Sequence, residues 1–173
     1  MIKNNLMKNF KLFSTCLLFL MSILVYSQND EKQIESQVKQ MVSDWNTHDF
    51  KNMDSYMTED VEWINIVGMW WKGRAEVKAA HQGNFSAFFK NVPFVQKSVT
   101  TRFISKDVAV STLICSVGEF FPPHGIDHGS NRMPPSDDIL TLVFLKKNGK
   151  WLITSGQNTV VDARAANNNP AKK

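Results

Sequence analysis

Cysteine is scarce in this sequence, and its scarcity excludes a disulfide-stabilised scaffold. Cys16 lies in an apolar run near the N-terminus, and Cys115 lies in an apolar stretch of strand character. Small exported domains without a large core usually depend on several disulfides, so this chain must be held together by its core. The 12 Phe and 5 Trp supply apolar bulk for one compact domain. Because Cys115 has apolar neighbours, a structural role is favoured over a reactive thiol.

Two further absences narrow the function classes. No basic patch carries interleaved aromatic residues, so no nucleic-acid partner is expected. No glycine-rich dinucleotide loop follows a predicted strand, and the sequence predicts neither a cofactor nor a metal. The formal charge of +4 owes much to Lys3, Lys8 and Lys11, because residues 28–173 hold 17 basic and 16 acidic residues.

The N-terminus has the pattern of a bacterial secretory signal peptide. Its lysines precede an apolar run over residues 12–26, and Ser27 before Gln28 fits a small-residue cleavage site. A retained membrane anchor is the alternative, but the run is shorter than the ~20 residues that span a bilayer. We therefore predict a signal peptide over 1–27, one domain over 28–162 and a disordered tail over 163–173, in a periplasmic or extracellular protein.

After the leader, the spacing of apolar residues predicts a series of helices and strands. Ile34, Val38 and Met41 recur at helical spacing, and Asp49 is a typical N-cap for a short second helix. Asn148-Gly149 is a favoured two-residue hairpin turn. The predicted helices are Glu31–Asn46, a short one after Asp49, and Arg74–Phe89, and the predicted strands are Asp60–Gly68, Phe94–Ser105, Val108–Phe121, Ile139–Lys147 and Trp151–Val161.

Helices followed by two hairpins predict an α+β domain with the helices against one face of an antiparallel sheet. The ordered pattern also resembles the cone-shaped nuclear transport factor 2-like fold, and more closely its SnoaL-like branch with the SgcJ/EcaC group. The residues that carry this resemblance are Trp45-Asn46 with Asp49, Asp60, Asn65 with Gly68, Trp71 with Gly73-Arg74, His81, Asp107-Val108-Ala109-Val110, Gly149-Lys150-Trp151 and Gln157-Asn158-Thr159.

The resemblance implies a strongly bent sheet wrapped around the long third helix, with an apolar cavity whose mouth accepts a small organic molecule. Such proteins include isomerases, dehydratases, epoxide hydrolases, polyketide cyclases and members without known catalysis, so the fold cannot choose among them. The SgcJ/EcaC group carries an oxidoreductase label in places. The missing dinucleotide loop gives that label no support here.

Three polar residues on otherwise apolar faces form the candidate catalytic site. Strand alternation puts Asn65 on the face of Val61 and Trp63, and helical spacing puts His81 on the face of Val77. In the last strand Gln157 lies on the same face as Trp151, and we expect this face to point into the same interior. A neutral imidazole near two amides could move a proton or orient a carbonyl. The alternative is that the three side chains hydrogen-bond one another and stiffen the core.

Aromatic residues are predicted to form the walls of the cavity, with Trp63, Trp70, Trp71 and Phe85 as ligand-binding residues. A tryptophan facing outward would instead belong to a dimer interface. Asn158 is the alternative to Gln157, because a bulge at Gly156 would turn it inward.

The sequence lacks the residues of the well-understood catalytic relatives. A steroid-type isomerase needs a carboxylate base and acid or phenol donors. Tyr56 is the only tyrosine after the leader, and Glu119 is the one carboxylate that the strand pattern offers as a candidate for the interior. An Asp-Arg-Asp set for epoxide opening is not visible. Two classes stay open: an acid–base enzyme acting through His81, and a non-catalytic protein that binds a small organic molecule.

The loop around His124, Asp127 and His128 offers two imidazoles and a carboxylate, which could hold a transition metal. Because a Gly/Pro-rich loop does not hold such groups in place, an ordinary polar surface loop is favoured over a metal site, and a lid over the cavity is the alternative.

By strand alternation, Ile64 and Ile66 face the side of the first strand opposite to Asn65. An apolar outer sheet face predicts a homodimer, and the resemblance points the same way.

Overall fold

The computed structural model describes residues 28–166 and 168–172, without the side chains of Phe85, Ser86, Ala166 and Lys172. From Ile34 onwards the described residues form one compact unit. The predicted signal peptide lies outside the described residues. Within them, no helix has both the length and the apolar character that a membrane crossing requires.

The first helix, α1, covers residues 28–47 and confirms the predicted one. Ile34, Val38 and Met41 are buried, as their spacing requires. The predicted second helix is only a single 3-10 turn, Met53–Ser55. Asp49 does not cap it; its Oδ1 accepts a hydrogen bond from the Lys51 backbone N–H at 3.1 Å, which makes a tight turn before it.

In the described part of the chain six strands form one bent, open sheet, and the predicted α+β class is confirmed. Its strand order is β2-β1-β6-β5-β4-β3. The strands are β1 Met57–Ile64, β2 Trp70–Lys72, β3 Phe94–Phe103, β4 Val108–Val117, β5 Ser136–Lys147 and β6 Lys150–Val160.

Both predicted hairpins are present, with β3 pairing antiparallel to β4 and β5 to β6. Asn148 and Gly149 both have positive φ, 52° and 78°, as the turn between β5 and β6 requires. The sheet is nevertheless mixed, because β1 pairs with β6 in parallel. Their connection includes most of the domain, so nothing in either strand's own sequence sets this direction.

The long helix α2, Gly73–Ala87, packs against β1. Val77 is fully buried on the sheet side, and the Arg74 guanidinium donates a hydrogen bond to the Met57 carbonyl at 3.0 Å. These contacts fix the rotation of α2 about its axis. His81, one turn after Val77, therefore faces the interior.

Two short helical turns, Ala163–Ala166 (α3) and Pro170–Lys172, follow β6, in the region predicted to be a disordered tail.

Candidate active site

A cavity of about 280 Å³ lies between the sheet and the helices α1 and α2. Pockets for small organic molecules occupy ~300–1,000 Å³, so it suits a molecule at the small end of that range. Aromatic side chains make much of its wall: Trp45, Phe50, Tyr56, Trp63, Trp71, Phe89, Phe94 and Phe120. The polar lining residues are Asn65, His81, Asn84, Ser136, Asp138 and Asn158.

His81 lines this cavity, as its helical spacing predicts. Its Nδ1 lies 2.8 Å from the Val77 carbonyl oxygen, one turn earlier on α2. Because a carbonyl oxygen only accepts, Nδ1 must carry the proton, and Nε2 is left with a free lone pair in the neutral ring. Burial lowers the pKa of His81, and the bond to Val77 opposes this more weakly. The imidazole is therefore neutral at neutral pH.

Among the described side chains, four aromatic rings surround the His81 imidazole. The centroids of Phe50, Trp63 and Trp71 lie 5.5, 5.6 and 5.5 Å from that of His81, and that of Trp45 lies at 6.1 Å. These rings cover much of the imidazole, and this partial loss of hydration is the physical cause of its lowered pKa.

Asn65 also lines the cavity, one residue beyond the end of β1. Its Oδ1 accepts hydrogen bonds from the backbone N–H groups of Val67 and Met69, at 3.1 and 2.9 Å. These two donors identify the oxygen of the amide and hold the side chain in place. The Nδ2 donor remains available to a ligand.

The placement of Gln157 in the cavity is wrong, and Asn158 takes its place. Gln157 is exposed, whereas Asn158 is half-buried and lines the cavity. The β5–β6 register pairs Phe144 with Ile153 but Val143 with Ser155, so Thr154 is the extra residue of a bulge. Residues up to Ile153 follow one inward parity, and Gly156 and Asn158 follow the other. The bulge thus lies at Thr154, two residues before Gly156, the position expected for it from the sequence.

The tryptophans divide between cavity and surface. Trp63 and Trp71 line the cavity, as predicted. Trp70 does not; it is 53% exposed, with the Lys72 ammonium 3.9 Å from its ring centroid, because neighbouring residues of β2 face opposite ways. Phe85 belongs to α2, but its side chain lies outside the described part of the structure.

Asp138 is the carboxylate that sequence reasoning missed. It is 3% exposed and lines the cavity, whereas Glu119 is exposed and pairs with Arg132 at 2.8 Å. Burial raises the pKa of Asp138, while hydrogen bonds from Asn158 and Ser136 oppose the rise. Asp138 shares parity with the buried Leu140 and Leu142, so strand alternation places it inward once β5 is extended to Ser136. The sequence pattern instead predicts that this strand begins at Ile139.

Tyr56 is a second missed group. It is fully buried and lines the cavity near Asp44 of α1, which is 3% exposed. Burial, followed by the negative charge of Asp44, raises the pKa of the phenol. The phenol therefore stays protonated and can donate or accept a hydrogen bond, but it does not act as a phenolate base.

The side-chain amide of Asn131 organises the loop after β4. Asn131 Nδ2 donates to the carbonyls of Pro122 and Ile126, both at 2.8 Å, and its Oδ1 accepts from the His128 N–H. Among the described residues, no three His, Cys, Asp or Glu side chains lie close enough together to hold a metal ion. Phe120 and Met133, at the two ends of the loop, line the cavity.

Cys115 is fully buried in β4, and burial raises the pKa of its thiol to about 12. A thiol with so high a pKa carries almost no thiolate at neutral pH. This agrees with its predicted structural role.

Comparison with solved structures identifies the same architecture. An uncharacterised protein from Caulobacter vibrioides with a cystatin-like fold is 27% identical, with a TM-score of 0.77 over 83% of this chain and 98% of that one. A protein from Novosphingobium aromaticivorans, provisionally assigned as a scytalone dehydratase, is 13% identical, with a TM-score of 0.65 over 79% and 87%. A provisional dehydratase of the NTF2-like family from Streptomyces avermitilis is 17% identical, with a TM-score of 0.63 over 79% and 99%.

No curated protein matches the chain. The model of the SnoaL-like domain family matches residues 38–151, which include α1 from Val38, α2 and all of β1 to β5. The elements that build the cavity thus lie almost entirely within the matched region, and the chain belongs to the SnoaL-like domain family.

Proposed function

We propose that this protein binds a small organic molecule in its cavity and transfers a proton on it, with His81 as the base. One observation carries the proposal: the hydrogen bond from His81 Nδ1 to the Val77 carbonyl leaves a neutral Nε2 as a proton acceptor in a cavity that Asn65 also lines. A neutral imidazole in a cavity with largely aromatic walls is a suitable general base.

The proposed reaction begins with removal of a proton from the substrate by His81. Nε2 takes a proton from the carbon next to a substrate carbonyl, and the electron pair moves onto the carbonyl oxygen. Asn65 Nδ2 donates a hydrogen bond to that oxygen as its charge develops. The electron pair on oxygen then re-forms the carbonyl. In a β,γ-unsaturated substrate the double bond shifts and the imidazolium returns the proton to the γ carbon, which isomerises the substrate. In a β-hydroxy substrate the β C–O bond breaks and the imidazolium protonates the departing hydroxyl, which releases water. The provisional dehydratases among the structural relatives are compatible with the second course.

Binding without catalysis is the second candidate, and one feature favours it. His81 Nδ1 donates to a main-chain carbonyl, whereas catalytic imidazoles are often held by a carboxylate that stabilises the imidazolium. Without that carboxylate the base is weaker. In this case His81 and Asn65 would only recognise a ligand.

Deuterium exchange distinguishes the two without knowledge of the natural substrate. Single-ring ketones are incubated with the protein in D2O, and incorporation at the carbon next to the carbonyl is followed by NMR. We expect the wild type to accelerate exchange of at least one ketone, and His81→Gln to slow it by ~10²-fold or more while ketone binding persists. His124→Gln, in the exposed loop, is the matched control and should exchange like the wild type.

Equal exchange rates for the wild type and His81→Gln would contradict the role of His81 as base. Ketone binding without any enzyme-dependent exchange would support the binding protein instead.

We also propose that the protein is exported, because the lysine-flanked apolar run and the Ser27-Gln28 junction have signal-peptide form.

We further propose that two copies of the protein form a homodimer through the outer face of the sheet. Ile66 does not contribute to that face, since it lines the cavity. Apolar pairs across β4 and β5 support it instead, namely Val110 with Val143 and Ile114 with Ile139.

A further inference from the structure

The charge of the cavity wall restricts what can occupy it. No lysine or arginine occurs among the described residues that line the cavity, and Asp138 is the only carboxylate among them. A buried carboxylate without a cation is costly, because desolvation is not repaid by an opposite charge. In an empty cavity the negative charge of Asp138 is therefore not compensated by any positive charge among the described residues of the wall.

The partners of Asp138 do not remove this deficit. Ser136 Oγ donates to Asp138 Oδ1 at 3.2 Å, and Asn158 donates a further hydrogen bond, but both partners are neutral. The nearby Lys97 ammonium pairs with the neighbouring Asp137 at 2.6 and 2.7 Å, on the other side of the sheet. A carboxylate has about four acceptor positions, so some remain for an occupant of the cavity.

A second buried carboxylate adds to the negative field. Asp44 does not line the cavity but lies next to the lining residue Tyr56, and its Oδ1 accepts a hydrogen bond from Gln40 at 2.7 Å. Gln40 is also neutral. In a water-excluded site the fields of two such carboxylates favour a cation and repel an anion.

We propose that the occupant is a small organic amine, with its ammonium group against Asp138 and its apolar body among the rings around His81. The ammonium supplies the charge and the donors that Asp138 lacks, while Trp63, Trp71 and Phe50 cover the apolar part. This narrows the ligand of the site proposed above to a carbonyl compound that also carries an amine, and it rests on that cavity being the binding site. It excludes carboxylic acids and phosphates.

Three probes of one size and different charge test the proposal: benzylamine, benzyl alcohol and benzoate, with binding measured by NMR titration at pH 7. We expect benzylamine to bind at least about tenfold more tightly than benzyl alcohol, which corresponds to ~1.4 kcal/mol, and benzoate not to bind. Asp138→Asn should lower benzylamine affinity at least tenfold and leave benzyl alcohol affinity unchanged. Asp137→Asn, one residue away on the outer face, is the matched control and should bind like the wild type.

Several outcomes would overturn the proposal. These are benzyl alcohol binding as tightly as benzylamine, benzylamine binding unchanged in Asp138→Asn, and no binding by any probe at ~10 mM. Circular dichroism shows whether each variant is folded, and Asp138→Glu, which keeps the charge, should restore part of the preference for the amine. Because only binding is measured, these results do not depend on turnover.

Discussion

The indole ring of Trp63 lies directly against the Cα of Gly156, its register partner on the parallel strand β6. A Cβ at Gly156 would overlap the Cζ3 and Cε3 atoms of this ring. The φ of this glycine is not positive, so space rather than backbone conformation requires a glycine here. Trp63 can thus stand flat against the sheet and form a wall of the cavity.

Gly156→Ala should therefore tilt Trp63 into the cavity. We expect a loss of ~1–3 kcal/mol in the free energy of unfolding, the usual cost of overpacking a core, together with weaker binding of any probe. Urea denaturation followed by tryptophan fluorescence measures the first effect. Gly83→Ala on α2 is the control: a Cβ at this position would meet nothing within 4 Å, so the variant should be neutral or stabilised by up to ~1 kcal/mol. Equal stabilities of the two variants would refute the packing argument.

The lowered pKa of His81 gives a pH dependence of defined sign. Below the unfolded-state pKa of 6.5, the unfolded chain binds a proton that the folded imidazole resists. The His81 contribution therefore makes the free energy of unfolding fall as the pH drops from 6.5 towards the folded-state pKa, and leaves it constant above 6.5. Urea denaturation of the wild type and His81→Gln between pH 5 and 8 should show a steeper slope for the wild type.

The raised pKa of Asp138 acts in the opposite sense above 3.8, so the difference between variants isolates His81. His124→Gln should keep the wild-type slope. A wild-type curve parallel to that of His81→Gln would mean that His81 titrates normally in the folded state.

The bulge at Thr154 predicts unlike effects for two neighbouring amides. Asn158→Ala removes a hydrogen bond that opposes the raised pKa of Asp138, so less of the carboxylate is ionised and benzylamine binding should weaken by about fivefold, the equivalent of ~1 kcal/mol. Gln157→Ala changes only an exposed side chain and should bind like the wild type. Calorimetric or NMR titration of both variants settles this, and a larger effect from Gln157 would show that the register is misassigned.

Export has a direct measurement in intact mass. Protein recovered from a bacterial host with its full N-terminus should begin at Gln28, because the junction after Ser27 fits signal peptidase. Leu18→Arg, which breaks the apolar run, should keep Met1 and stay inside the cell, whereas Leu18→Ile should be processed. A wild-type chain that retains residues 1–27 would disprove processing at this position.

Association is tested by light scattering at micromolar concentration, where we expect the mass of two chains. Val143→Lys places a charge opposite Val110 in the outer face of the sheet and should give the mass of one chain. Lys90→Glu, at an exposed site outside the sheet, should leave the mass unchanged. A wild-type protein with the mass of one chain would exclude the dimer under these conditions.

Local patterns in the sequence were sufficient for much of the fold. Strand alternation predicted the inward side of Val61, Trp63 and Asn65, and helical spacing predicted Val77 and His81 on one face of α2. Each of these features depends on neighbours within one turn or one pleat, where the periods of 3.6 and 2 apply directly. The hairpin at Asn148-Gly149 is local in the same sense, since two residues set its conformation.

The composition of the site depended on contacts between distant segments. The extra residue at Thr154 moved the inward position from Gln157 to Asn158, and such a bulge is defined only by pairing with β5. The parallel pairing of β1 with β6 placed Trp63 over Gly156. The sequence by itself determined which faces are apolar, because periodicity is a local property. Only the tertiary structure decided which polar groups share a cavity, because register and strand direction are set by packing between segments far apart in the chain.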